Sequence, residues 1–85
     1  MVHIDIGWWK HLADKTYGTL HNRLAVLRAE NKWSQKEVAD RVGVSRQTIV
    51  SLENNRYNPS LKLAFELAYL FECDINDIFR YEKEG

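Results

Sequence analysis

One cysteine, one proline and four glycines are all that this chain of 85 residues holds of the types that staple, break or loosen a fold. A lone Cys73 cannot close a disulfide within the chain, nor build a cysteine-rich metal cluster. It reads as a small apolar residue ahead of a last helix, and a bridge between chains is not expected. Gly7, Gly18, Gly43 and Gly85 stand apart, so there is no glycine-rich phosphate loop. No window approaches the eighteen apolar residues that a membrane-spanning helix needs. The first residues lack a basic stretch leading into an apolar core, so no secretion signal is expected and the cytoplasm is the expected compartment. No Ser–His–Asp or Cys–His pairing has a plausible helper, and the carboxylates fall at helix caps or in the C-terminal half. Catalysis is therefore not expected, and neither is a cofactor. His3 and His11 have no metal-ligand spacing with any Cys, Asp or Glu set and read as surface residues.

An excess of either charge is also missing, since twelve basic and twelve acidic residues cancel. Their distribution does not cancel. Between His21 and Asn58 there are seven basic residues (Arg23, Arg28, Lys32, Lys36, Arg41, Arg46, Arg56) against four acids. From Pro59 onward three basic residues face six acids. One half of a small domain can thus meet a polyanion while the other repels it, which would orient the protein on a duplex. Few phosphates could be neutralised by each subunit, so non-specific affinity should be modest.

What the chain does have is punctuation. Ser34 is placed to cap a helix, Glu37 three residues on closes a capping box, and Trp33 with Val38 suits a hydrophobic staple. Gly43 follows the apolar residues Val38, Ala39 and Val42, where a left-handed C-terminal residue belongs. Val44 then leads to a second cap, Ser45, with Ile49 able to complete a second staple. Two helix starts within about a dozen residues leave room only for a helix-turn-helix. On the second helix Ile49 and Leu52 share one face, and Arg46, Gln47, Val50, Ser51 and Asn54 share the other. An exposed helix N-terminus bearing Arg and Gln suits the major groove, because Arg pairs bidentately with guanine and Gln with adenine.

The run SQKEVADRVGVSRQTIVSLENNRYNPS resembles the Cro/cI-type (XRE) helix-turn-helix family, which includes the lambdoid phage repressors. It is most similar to the short members of the cytolysin-operon-repressor kind, through SRQTI, LEN and YNPS. The resemblance covers roughly Leu20 to Tyr81 and leaves out the first eighteen or so residues. It implies an all-α, five-helix, lambda-repressor-like domain that binds double-stranded DNA. A small two-stranded sheet would join Thr19–Asn22 to the segment around Phe79–Glu82. The resemblance also implies a partly buried ion pair between Arg28 and Glu53, and Ser51 as a third base reader beside Arg46 and Gln47. Thr48 or Val50 is expected to meet a thymine methyl. Gln35, Asn54, Asn55, Lys36, Arg23 and Arg56 are the phosphate candidates. Tyr57 fits either a phosphate contact or packing.

Around this unit, the first helix begins at Asn22 or Arg23 and ends near Asn31, with Leu24, Leu27 and Ala29 inward. Ser60 caps a fourth helix from which Leu61, Leu63, Ala64, Leu67, Ala68 and Phe71 are expected in the core. Phe65, Tyr69 and Leu70 are then surplus, as a subunit interface would need. Asp74 caps a final short helix, INDIF, whose Asp77 favours the helix dipole, and Ile78 and Phe79 close the core. The tail from Tyr81 to Gly85 is polar and charged. Residues 1–18 form an extension and 19–85 the domain. Within the extension Ile4, Trp8 and Leu12 recur at helical spacing beside Trp9, reading either as an arm that packs on a partner or as a leader without fixed order. The chain is therefore expected to be a homodimeric regulator, a repressor, on a two-fold symmetric operator. The alternative is an antitoxin or adaptor that grips a protein partner through its Trp-rich start.

Overall fold

The capping residues set where the helices begin. A computed structural model of the protein describes residues 18–83. Its elements are strand β1 (Gly18–Asn22), helices α1 (Leu24–Glu30), α2 (Gln35–Val42), α3 (Arg46–Glu53), α4 (Leu61–Leu70) and α5 (Ile75–Ile78), and strand β2 (Phe79–Lys83). Ser34 accepts from the Glu37 backbone while Glu37 accepts from the Ser34 N–H, so the capping box is complete. Ser45 and Ser60 likewise accept from the backbone N–H groups of Thr48 and Leu63. At α5 the Asp77 carboxylate accepts from the Asp74 N–H at 3.0 Å. The helix of INDIF stops one residue early, because Phe79 already belongs to β2. β1 and β2 pair antiparallel from Gly18↔Lys83 to Asn22↔Phe79.

Three of the five described helices end in one way, with two backbone bonds that use up two carbonyls of the last turn, and a fourth, α2, shares the longer of the two bonds. After α1, Trp33 N–H donates to Arg28 C=O and Lys32 N–H to Ala29 C=O. The same pair recurs after α3 (Arg56 to Ser51, Asn55 to Leu52) and after α4 (Cys73 to Ala68, Glu72 to Tyr69). After α2, Val44 N–H donates to Ala39 C=O around Gly43, whose φ is 75°. Only at Gly43 is the left-handed residue a glycine; the others are Lys32 (φ 57°), Asn55 (57°) and Glu72 (54°).

Leu24, Val38, Ile49, Leu52, Leu67 and Ile78 are fully buried at the centre of the core, and Phe79 lies at its edge. Trp33 packs on this core with its ring 5.5 Å from that of Phe71, and the Arg41 guanidinium lies 4.3 Å from the Trp33 ring centroid. A cation over an indole face is favourable, so this contact ties the end of α2 to the turn before it.

Helical periodicity corrects three expectations. Leu61 is 71 % exposed, because it shares a stripe with Phe65 and Tyr69 at four-residue steps instead of the face of Leu63 and Leu67. Leu70, expected to be surplus, follows Leu63 and Leu67 round the inner face and packs on the core. Ala29 is exposed, since it lies well round α1 from Leu24. The helical reading of Ile4 to Leu12, with Trp8 and Trp9, falls outside the described residues, as do His3 and His11.

A left-handed backbone places Cβ against the following carbonyl in any residue but glycine, at roughly 1–2 kcal/mol. Glu72→Gly should therefore stabilise the fold by about 1 kcal/mol, read as a higher urea midpoint. An unchanged or lower midpoint contradicts this.

Candidate nucleic-acid interface

Ser45 begins α3 directly after the turn at Gly43, so the first residues of this helix emerge at the surface. Arg46 and Gln47 are exposed, whereas Thr48, Val50 and Ser51 are half-buried. Thr48 shares a 2.9 Å hydrogen bond with the Ser45 hydroxyl, leaving its methyl as the free part of the side chain. Gln47 Nε2 donates weakly to Ser51 Oγ at 3.4 Å, which sets these two side chains one turn apart on the same stripe.

Behind this face the helix is anchored through Glu53. Its carboxylate accepts from Arg28 Nε at 2.7 Å, from Arg28 Nη2 at 3.2 Å and from Gln35 Nε2 at 3.0 Å. Arg28 Nη1 donates to the Trp33 carbonyl at 3.0 Å. The side chains of Glu53 and Arg28 are 7 % and 22 % exposed, so the pair is largely out of water. The bond to Glu53 pushes the Arg28 guanidinium above its usual range against the opposing effect of burial, and the carboxylate charge adds to the rise.

Gln35 extends this arrangement to the surface. With its N–H held by Glu53, its Oε1 accepts from Arg46 Nη2 at 3.2 Å. The two candidate residues from neighbouring helices are thereby in contact. Lys36, one residue on, pairs with Asp40 at 2.9 Å on the open side of α2, and that bond holds its ammonium above its usual range.

The other candidates gather at the far end of α3. Asn54, Asn55, Arg56 and Tyr57 are exposed along the turn and the loop that follows. Arg23 is engaged elsewhere, donating at 3.4 Å to the Asp77 carbonyl in a cleft lined by His21, Asn76 and Arg80. Cys73 has no role in this face. Burial, then the charges of Asp77 and Asp74, push its thiol up, which keeps it in the unreactive protonated form.

Sequence reasoning placed Asn22 at the end of a strand or the start of a helix and missed the reach of its side chain. Its side chain reaches Leu52 and Asn55, 30 and 33 residues away. No local pattern marks a contact of that separation. The Arg41–Trp33 contact was missed for a plainer reason, since a basic residue in the last turn of a helix already has an explanation in the dipole.

The Helix-turn-helix family model matches residues 24–78, from the start of α1 to the end of α5. An uncharacterized HTH-type transcriptional regulator from Archaeoglobus fulgidus is 48 % identical over 65 residues, covering 76 % of this chain and 92 % of the relative. The crystal structure of the transcriptional regulator VanUg superposes with a TM-score of 0.66 at 25 % identity, over 80 % of this chain and 91 % of that one. The antitoxin HipB of Escherichia coli O6:H1 is 36 % identical over 56 residues, or 66 % of this chain and 60 % of HipB.

Removing one partner of a buried ion pair strands the other, whereas removing both does not. Glu53→Ala and Arg28→Ala should each destabilise by about 3–5 kcal/mol, and the double variant by clearly less than their sum. Urea unfolding of the four proteins checks this; additive losses contradict it.

Proposed function

Because the chain belongs to the helix-turn-helix family of DNA-binding transcriptional regulators, we propose that it acts as a homodimeric, cytoplasmic repressor on a two-fold symmetric operator. The observation that carries the reading is the arrangement of Arg46: exposed at the start of α3, it is held by Gln35, which is itself fixed by the buried Glu53 carboxylate. A side chain arranged before binding loses less freedom on meeting a base edge. In this reading Arg46 and Gln47 take hydrogen bonds to bases, Ser51 is the third reader, and Thr48 or Val50 meets a thymine methyl. Gln35, Lys36, Asn54, Asn55 and Arg56 serve the phosphates, with Arg23 and Tyr57 at the margin.

The exposed stripe of Leu61, Phe65 and Tyr69 on α4 is the face we assign to the second subunit, since a row of large apolar side chains is costly in water. Two copies related by a two-fold axis would place their α3 helices about 34 Å apart, one turn of the duplex. A pair seated across a promoter denies that stretch to other proteins, which is repression by occlusion. The similarity to HipB supports a second reading, an antitoxin or adaptor that meets a protein partner through residues 1–18. Removing those residues separates the two: a DNA-binding regulator keeps its operator preference without them.

Arg46→Ala should weaken binding to the cognate duplex by roughly 1–3 kcal/mol and relax the preference at one base pair of each half-site. Competition among single-base variants of the duplex checks this, and an intact preference would overturn the base-reading assignment. Tyr69→Lys should shift the protein from dimer to monomer in sedimentation equilibrium and steepen its requirement for concentration on DNA; an unchanged dimer would place the interface elsewhere.

A further inference from the structure

Asn22, at the end of β1, spends two of its polar positions on backbone groups that leave it no choice of orientation. Its Oδ1 accepts from the Leu24 backbone N–H at 3.0 Å, and its Nδ2 donates to the Leu52 backbone C=O at 2.9 Å. A backbone N–H only donates and a backbone carbonyl only accepts, so the amide cannot be turned over. The second Nδ2 hydrogen goes to Asn55 Oδ1 at 3.0 Å.

The consequence passes to Asn55. A side chain that receives a hydrogen bond from Asn22 must present its oxygen inward and therefore its NH2 group outward. Asn55 is exposed, in the left-handed residue position just beyond α3. The neighbouring Arg56 N–H is turned back to Ser51 C=O at 2.9 Å and is not offered to solvent. Phosphate oxygens only accept, so an amide fixed with its nitrogen outward suits a phosphate and one fixed with its oxygen outward does not. We propose that Asn22 is a positioning residue for DNA binding, setting the polarity of the Asn55 amide so that it donates to a backbone phosphate. This inference rests on the DNA-binding reading and goes beyond it, because Asn22 itself touches no nucleotide.

The test is a double-mutant cycle on the full chain, measured on the preferred duplex and on an unrelated one, at a temperature where circular dichroism shows every variant folded. Asn55→Gly is the reference variant, since glycine takes the left-handed backbone without strain. Asn22→Ala and Asn55→Gly should each weaken binding roughly three- to tenfold on both duplexes. The salt dependence should stay unchanged, because no cation is removed. Asn22→Ala should then cost nothing further in the Asn55→Gly background. Full affinity in Asn55→Gly, or losses that multiply in the double variant, overturns the inference even if Asn22→Ala alone binds poorly. Absence of any binding by the unmodified protein at moderate salt would instead remove the DNA-binding reading beneath it.

Discussion

The fold converges on one carboxylate. Glu53 is the last residue of α3, yet it takes hydrogen bonds from α1 through Arg28 and from α2 through Gln35. Three helices are thus referred to a single point that water barely reaches. Such a pair adds little net stability over an apolar replacement, because the attraction is offset by the loss of hydration. What it does supply is geometry: two planar groups in bidentate contact accept few relative orientations. The angle at which α3 stands against α2 is accordingly fixed by bonding at its C-terminal end, while Ile49 and Leu52 hold its inner face by packing.

This division of labour explains how a domain with no net charge can serve a polyanion. Electrostatic attraction at a distance is weak here, since basic residues on the α1–α3 half are balanced by acids beyond Pro59. Affinity must then come from contacts that are already arranged. Arg46 rests on Gln35, and Gln35 rests on Glu53; Asn55 rests on Asn22, and Asn22 rests on two backbone groups. Both ends of α3 therefore carry polar side chains whose orientation is settled inside the protein. The face between them, with Gln47 and Ser51, is lightly bonded.

Much of this was legible in the sequence, for reasons that differ by element. Ser34, Glu37, Gly43, Ser45 and Ser60 announce their positions because capping is a local bond between a side chain and a backbone a few residues away. The apolar period found Leu24, Leu27, Ile49, Leu52 and Leu67. It failed at the ends of α4, where a nearly continuous apolar run gave Leu61 to the core and Leu70 to the surface, and the helical phase reverses both. The left-handed turns at Lys32 and Glu72 left no trace, because their stability comes from two backbone bonds that any residue can make. The anchoring of Gln35 and the reach of Asn22 were equally invisible, being contacts across helices that only packing brings together. Arg28 with Glu53 could be anticipated only through the resemblance to other chains, and composition says nothing of it.

The central claim is that the outward side of α3, from Arg46 to Ser51, reads base pairs while Gln35 and the turn after Glu53 hold the backbone. Selection of bound sequences from a pool of randomised duplexes addresses it most directly. The account predicts enrichment of a two-fold symmetric site whose half-sites lie about one helical turn apart, with invariant base pairs confined to a short stretch in each half. Recovery of an unenriched pool at moderate salt, or of sites with no symmetry and no fixed spacing, would contradict it.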